Sequence, residues 1–136
     1  MKKLIFTLSV MLSFQALADY VVVVNAANKA AVSMDDVKKI YSGKVASFSD
    51  GSSALPIMLN EGNETRDLFS TKVLEKSDSQ YIALWAKMLF TGNGTPPQEV
   101  DSFDKVKEIV SKNPSTLGYI DESMVDASLK VIGKFN

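Results

Sequence analysis

Leu55-Pro56-Ile57-Met58-Leu59-Asn60-Glu61-Gly62-Asn63-Glu64-Thr65-Arg66-Asp67-Leu68-Phe69 is the stretch on which the architecture turns. Residues 55–59 are apolar throughout and read as a short strand. Gly62 allows a tight turn, Asn63 is a residue type that caps helices, and Leu68, Phe69, Val73 and Leu74 recur at helical spacing on one inward face. A strand feeding directly into a helix is the building unit of layered α/β domains.

Reading outward, the rest of the chain keeps that alternation. Tyr20-Val21-Val22-Val23-Val24-Asn25 is an uninterrupted β-branched run, suited to a strand covered on both faces, as in parallel sheets flanked by helices. Ser33 caps a predicted helix with Met34, Val37, Ile40 and Tyr41 inward, and Gly43 ends it. Phe48-Ser49-Asp50-Gly51 reads as a turn. Tyr81, Ile82, Leu84, Trp85, Met88 and Leu89 form a broad apolar stripe on a third helix, broken by Thr91-Gly92-Asn93-Gly94-Thr95-Pro96-Pro97. Ser102 caps a fourth helix that buries Phe103, Val106, Ile109 and Val110 and stops before Asn113-Pro114. Strands are expected at 116–120 and 129–132. The fold class is therefore α/β, with a central mixed or mostly parallel sheet flanked by helices.

At the N-terminus, Lys2 and Lys3 precede an apolar run from Leu4 to Phe14, and Ala16-Leu17-Ala18 has the small-x-small pattern that signal peptidase reads. The run is shorter than the ~20 residues of a membrane span. A cleaved signal peptide over 1–18, export to the periplasm and a single domain over 19–136 are expected. A domain of this length buries roughly 65% of its unfolded surface, enough for one core. With no cysteine there is no lipid-anchor site after the apolar run.

Composition excludes much of the usual chemistry. Fifteen basic residues face sixteen acidic ones, so the basic excess that nucleic-acid binding requires is missing. Without Cys or His there are no disulfides, no thiolate or imidazole metal sites and no Ser-His or Cys-His catalytic pairs. Asp35-Asp36, Asp121-Glu122 and Glu61-Glu64 are the close acidic pairs; none has calcium-loop spacing, and they read as solvated charges at helix starts. A carboxylate-based hydrolase would need a second lobe to wall its cleft. No metal and no cofactor is expected.

The chemistry points instead to the turn at 62–66. A helix N-terminus presents unpaired N–H groups and a partial positive charge, which together suit a small oxyanion. Arg66, the only arginine, stands in the first turn, where the helix dipole disfavours a cation by ~0.3–1 kcal/mol. One reading has Gly62, Asn63, Thr65 and Arg66 forming an oxyanion site, with the guanidinium supplying two parallel donors. The other has Asn63 capping the helix, Glu64 complementing the dipole and Arg66 pairing with a carboxylate. Asn25, Ser42 and Lys44 are further candidates for the same cleft, although Gly43 and Lys44 are also explained by the end of the first helix. Trp85, Phe69, Tyr81 and Phe103 read as core aromatics.

The ordered set formed by the Val-rich strand ending in Asn25, Val37-Lys38-Lys39-Ile40-Tyr41-Ser42-Gly43-Lys44, Gly62-Asn63-Glu64-Thr65-Arg66-Asp67-Leu68-Phe69 and Leu117-Gly118-Tyr119-Ile120 resembles the phosphate-binding proteins of phosphate ABC transporters. In that family a helix ending in Ile-Phe-Ser-Gly-Lys is followed by a strand, a Ser-Gly-Thr-Arg-x-x-Phe anion loop, a Trp-bearing helix and an Ile-Gly-Tyr segment. The resemblance implies one lobe of a type II periplasmic-binding fold, a non-enzymatic role, and phosphate or a similar oxyanion as ligand. Thr65 and Arg66 carry over from the family loop, whereas Asn63-Glu64 replaces Ser-Gly, and Leu59 and Asn60 stand where an arginine often precedes the loop. The family is a two-lobed clamshell, so a second copy of this chain or another partner would have to close the site. Expected partners are an inner-membrane ABC permease or a sensor ectodomain. The alternative is a lobe that kept the fold, lost the ligand, and serves as a periplasmic interaction or sensor-accessory module.

Overall fold

The computed structural model describes residues 18–136; the expected signal peptide lies outside the described residues apart from Ala18. In chain order the elements are β1 (Tyr20–Asn25), α1 (Met34–Tyr41), β2 (Leu55–Leu59), α2 (Glu64–Lys72), α3 (Asp78–Phe90), β3 (Gln98–Val100), α4 (Phe103–Lys112), β4 (Thr116–Asp121), a single 3-10 turn over Glu122–Met124, and β5 (Leu129–Phe135). No described helix is long and apolar enough to cross a membrane.

Five strands form one sheet in the order β3-β2-β4-β1-β5. β2 runs parallel to β3 and β4, while β1 runs antiparallel to β4 and to β5. The sheet is mixed and its longest pairings are antiparallel, which differs from the parallel setting suggested by the valine run. The reason is physical: an unbroken apolar strand reports burial on both faces, and Val21 to Val24 are fully buried, but burial is indifferent to strand direction.

Helices cover both faces. Side chains alternate across a strand, and two neighbours on β4 show the consequence. Gly118 faces α4, where a Cβ would lie 2.5 Å from Val106 Cγ1. Tyr119 faces the other way and stacks on Phe69 of α2, ring centroids 4.2 Å apart. Tyr41, at the end of α1, meets Phe69 edge-on, and its hydroxyl donates to the Ile57 carbonyl at 2.6 Å. Phe135 of β5 closes this aromatic cluster.

The capping residues act as their types dictate. Ser33 forms a reciprocal capping box with Asp36, Asn63 accepts from the amides of Thr65 and Arg66, and Ser102 accepts from Lys105. One strand was not expected, and one expectation needs correction. β3 falls just after the expected Thr91–Pro97 break and gives no signal of its own; its three residues are held by parallel pairing with Ile57–Leu59. The apolar stripe of α3 is only partly inward: Tyr81 and Trp85 are buried, but Ile82 is 37% and Leu89 54% exposed, and the following Phe90 is 94% exposed. α3 meets α1 through Tyr81 and Trp85, which donate to the Tyr41 carbonyl, and the outer part of the stripe is left uncovered.

Candidate functional site

The turn after β2 lies at the carboxyl end of a parallel strand, the edge where ligands of open α/β sheets gather. Gly62 adopts φ +86°, a conformation cheap only for glycine, and has open space where a Cβ would go. Asn63 follows in extended backbone, and its Oδ1 accepts from Thr65 N at 2.9 Å and Arg66 N at 3.2 Å. Two of the amides that a bound anion would use are thus capped from within. Thr65 is 8% exposed, and its hydroxyl makes no hydrogen bond among the described residues. Glu64 is exposed and makes no ion pair among them.

Arg66 is 3% exposed. Its Nε donates to both carboxylate oxygens of Asp78, at 2.9 and 3.1 Å, and its Nη1 donates to the Leu59 carbonyl at 3.0 Å and to Glu99. Asp78 also accepts from Ser70 Oγ at 3.0 Å. Burial works against the arginine's charge, but Asp78 and then Glu99 more than offset it and hold its pKa above the ordinary value. One cation therefore joins α2, α3, the end of β2 and β3. Of the two readings of Arg66, the geometry has the carboxylate-paired one in place, which also explains why a cation is tolerated in the first turn: its charge is spent on Asp78 and Glu99.

The other candidates do not converge on this turn. Asn25 sits at the end of β1; because β1 is antiparallel to β4 and β2 is parallel to β4, that end is level with Leu55, at the opposite edge of the sheet from Gly62. Its amide donates to the Val110 and Ser111 carbonyls at 2.9 and 3.0 Å, and its Oδ1 accepts from Ala27 N. It ties the strand to the unpaired end of α4. Ser42 and Lys44 line a shallow hollow of about 270 Å³ with Lys38, Lys76, Leu84 and Met88, on a different side of α3 from Arg66. Ser42 Oγ is the one buried side-chain polar atom without a hydrogen-bond partner among the described residues.

Sequence reasoning passed over a second cavity of about 270 Å³ beside Arg66, floored by Met58, Tyr81 and Trp85 and walled by Ile82, Leu89 and Pro96. Glu61 and Glu99 stand on the same lining. Tyr81 Oη and Trp85 Nε1 both donate to the Tyr41 carbonyl, at 2.6 and 3.0 Å, so these aromatics turn their polar tips inward and leave ring surface toward the cavity. Burial pushes the Tyr81 hydroxyl well above its usual pKa, and it stays a neutral donor. Among the described residues no group of His, Cys, Asp or Glu could hold a metal ion.

The sequence profile of the PBP superfamily domain matches residues 15–132. No curated protein matches the sequence. Among solved structures, a protein from Clostridium perfringens assigned as a phosphate ABC transporter substrate-binding protein, with bound phosphate, aligns with a TM-score of 0.65 at 21% identity, over 85% of this chain and 45% of that one. An ABC-type phosphate transport receptor from Vibrio cholerae aligns with a TM-score of 0.62 at 21% identity, over 85% and 46%. PstS from Borrelia burgdorferi gives 0.63 at 13% identity, over 85% and 47%. The chain spans a little under half the length of these structures, and identities this low carry the fold alone.

Proposed function

We propose, from the premise that this chain belongs to the PBP superfamily domain family, that it is an exported, non-enzymatic solute-binding-like lobe. It takes phosphate or a similar small oxyanion at the turn formed by Gly62, Asn63, Thr65 and Arg66, in the service of ABC-type uptake. The observation that carries this reading is the state of Thr65. Thr65 stands in the first turn of α2, its hydroxyl makes no hydrogen bond among the described residues, and the next residue, Arg66, is buried and bonded to the Leu59 carbonyl. Arg66 then acts as the anchor that fixes the turn, and the contacts to the anion fall to the Thr65 hydroxyl and the turn amides that Asn63 leaves uncapped. A single lobe leaves the anion open to water, so affinity is modest until a partner or a second copy supplies the other wall.

Isothermal titration of the exported protein with phosphate, beside sulfate, tests this. Thr65→Val is the control of choice, because Arg66→Ala would disturb the core as well as the site. Saturable heat in the micromolar to millimolar range, lost in Thr65→Val, supports the reading. No heat and no thermal stabilisation at millimolar phosphate, or binding indifferent to Thr65→Val, overturns it.

One observation favours a second reading. Asp78 and Glu99 already occupy Arg66, Asn63 already caps two of the turn amides, and the exposed Glu64 would repel an anion. A lobe in that state serves as a ligand-free module that docks on an ABC permease or a sensor ectodomain.

A further inference from the structure

Leu89 of α3 lines the cavity floored by Tyr81 and Trp85, and Phe90 follows it as the last residue of the helix. Leu89 is 54% and Phe90 94% exposed, and Ile82 and Pro96 continue the apolar wall. A phenylalanine held almost wholly in water at the end of a capped thirteen-residue helix adds nothing to folding. The carboxylates at the cavity's other end are equally marked. Among the described residues Glu61 and Glu99 line it and no lysine does, and the one cation there, Arg66, is buried and already paired with Asp78 and Glu99, which leaves Glu61 without an ion pair. Three carboxylates against one guanidinium leave this end net negative. Across the chain, setting aside Lys2 and Lys3 takes the net charge from −1 to −3.

We infer that this groove is a docking surface for a partner protein, and that the segment it takes carries a lysine or arginine beside one or two bulky apolar side chains. The apolar residue enters the cavity over Trp85, its neighbour covers Leu89 and Phe90, and the basic group meets Glu61 and Glu99. Charge selects the partner: an acidic or neutral apolar segment leaves Glu61 facing like charge or nothing and adds no cation to an end that Arg66 alone does not neutralise. Size points the same way, since a cavity of about 270 Å³ lies just below the ~300–1,000 Å³ of small-molecule sites, and its apolar rim spreads over an open helix face. The inference stands whether or not the turn at Thr65 binds an anion, and it gives the docking reading its partner chemistry.

Trp85 is the only tryptophan and lines the groove, so its fluorescence reports occupancy directly. The probes are three synthetic decapeptides with the same Leu-Phe core, flanked by lysines, serines or glutamates, titrated into the purified protein. The lysine peptide should give a saturable change in Trp85 emission, with affinity at least about tenfold above the serine peptide, a difference of ~1.4 kcal/mol. The glutamate peptide should give none. Glu61→Lys should abolish the lysine preference, and Leu89→Ser with Phe90→Ser should abolish binding while leaving any phosphate heat intact; both leucine and phenylalanine are exposed, so these variants keep the fold. Equal binding of all three peptides would show an unselective apolar patch and overturn the inference. So would no response at millimolar peptide, or a stable dimer in light scattering that Phe90→Ser dissolves, which would make a second copy the occupant.

Discussion

The two margins of this sheet are finished by different physics. On the β1-β4-β5 side the space under the helices is filled by rings: Phe69 is fully buried, stacked on Tyr119 and edge-on to Tyr41 and Phe135. At the β2-β3 margin the join is made by one charge network around Arg66, while Ile82, Leu89 and Phe90 of the adjoining helix stay in water. A margin built for stability alone would bury those side chains and dispense with the arginine, because a buried ion network seldom outperforms apolar packing of equal volume. On the inference proposed above, the second margin is a surface kept for contact, and the first is the part that keeps the protein folded.

The sharpest way to break that contrast is at Phe69. Phe69→Ala opens a cavity among the three rings of Tyr41, Tyr119 and Phe135 and should destabilise by ~3–5 kcal/mol in urea unfolding, with the m-value unchanged. A loss below 1 kcal/mol would mean that the cluster can collapse and that the first margin is not the stable one.

Arg66→Met comes next. Removing one partner of a buried pair leaves Asp78 uncompensated and should cost ~3 kcal/mol, the lower end of the usual range because the Glu99 side chain is 44% exposed and can turn to water. The double variant Arg66→Met with Asp78→Leu should recover much of that loss. Recovery would show that the network sets geometry and leaves stability to the rings; no recovery would show that shape at this joint needs the fork of the guanidinium.

How far the sequence announced these two margins differs as well. The first was largely legible. Caps at Ser33 and Ser102 and the periodicity of α4 are local signals, and the structure uses them where they stand. The second was not, because its determinants are tertiary. Asp78 and Glu99 lie 12 and 33 residues from Arg66, and no spacing rule connects them. What the sequence did show was a cation in a dipole-disfavoured place, a local oddity whose resolution needs the fold. The apolar stripe of α3 likewise recorded helix character correctly but not how much of it would be covered.

At Gly118 the packing of the first margin can be probed without removing anything. A Cβ would meet Val106 Cγ1 at 2.5 Å, a branched side chain with nowhere to swing, so Gly118→Ala should cost ~1–3 kcal/mol through overpacking. The expected signature is a lowered melting temperature with β4 amides exchanging faster. An unchanged melting temperature would mean that α4 rides loosely on the sheet and that the two margins are more alike than their contacts suggest.

The smallest expected effect is the most telling for the second margin. Phe90 is 94% exposed, so Phe90→Ser should change unfolding free energy by no more than ~0.5 kcal/mol in either direction. A side chain that contributes nothing to folding and carries an aromatic ring into water is kept by another demand or by none. Comparing Phe90→Ser with Phe69→Ala separates those cases: the stability loss belongs to Phe69, and the peptide response of Trp85 belongs to Phe90. If Phe90→Ser instead lowers stability by several kcal/mol in the isolated protein, the ring is covered in solution. The open margin would then be part of the core after all.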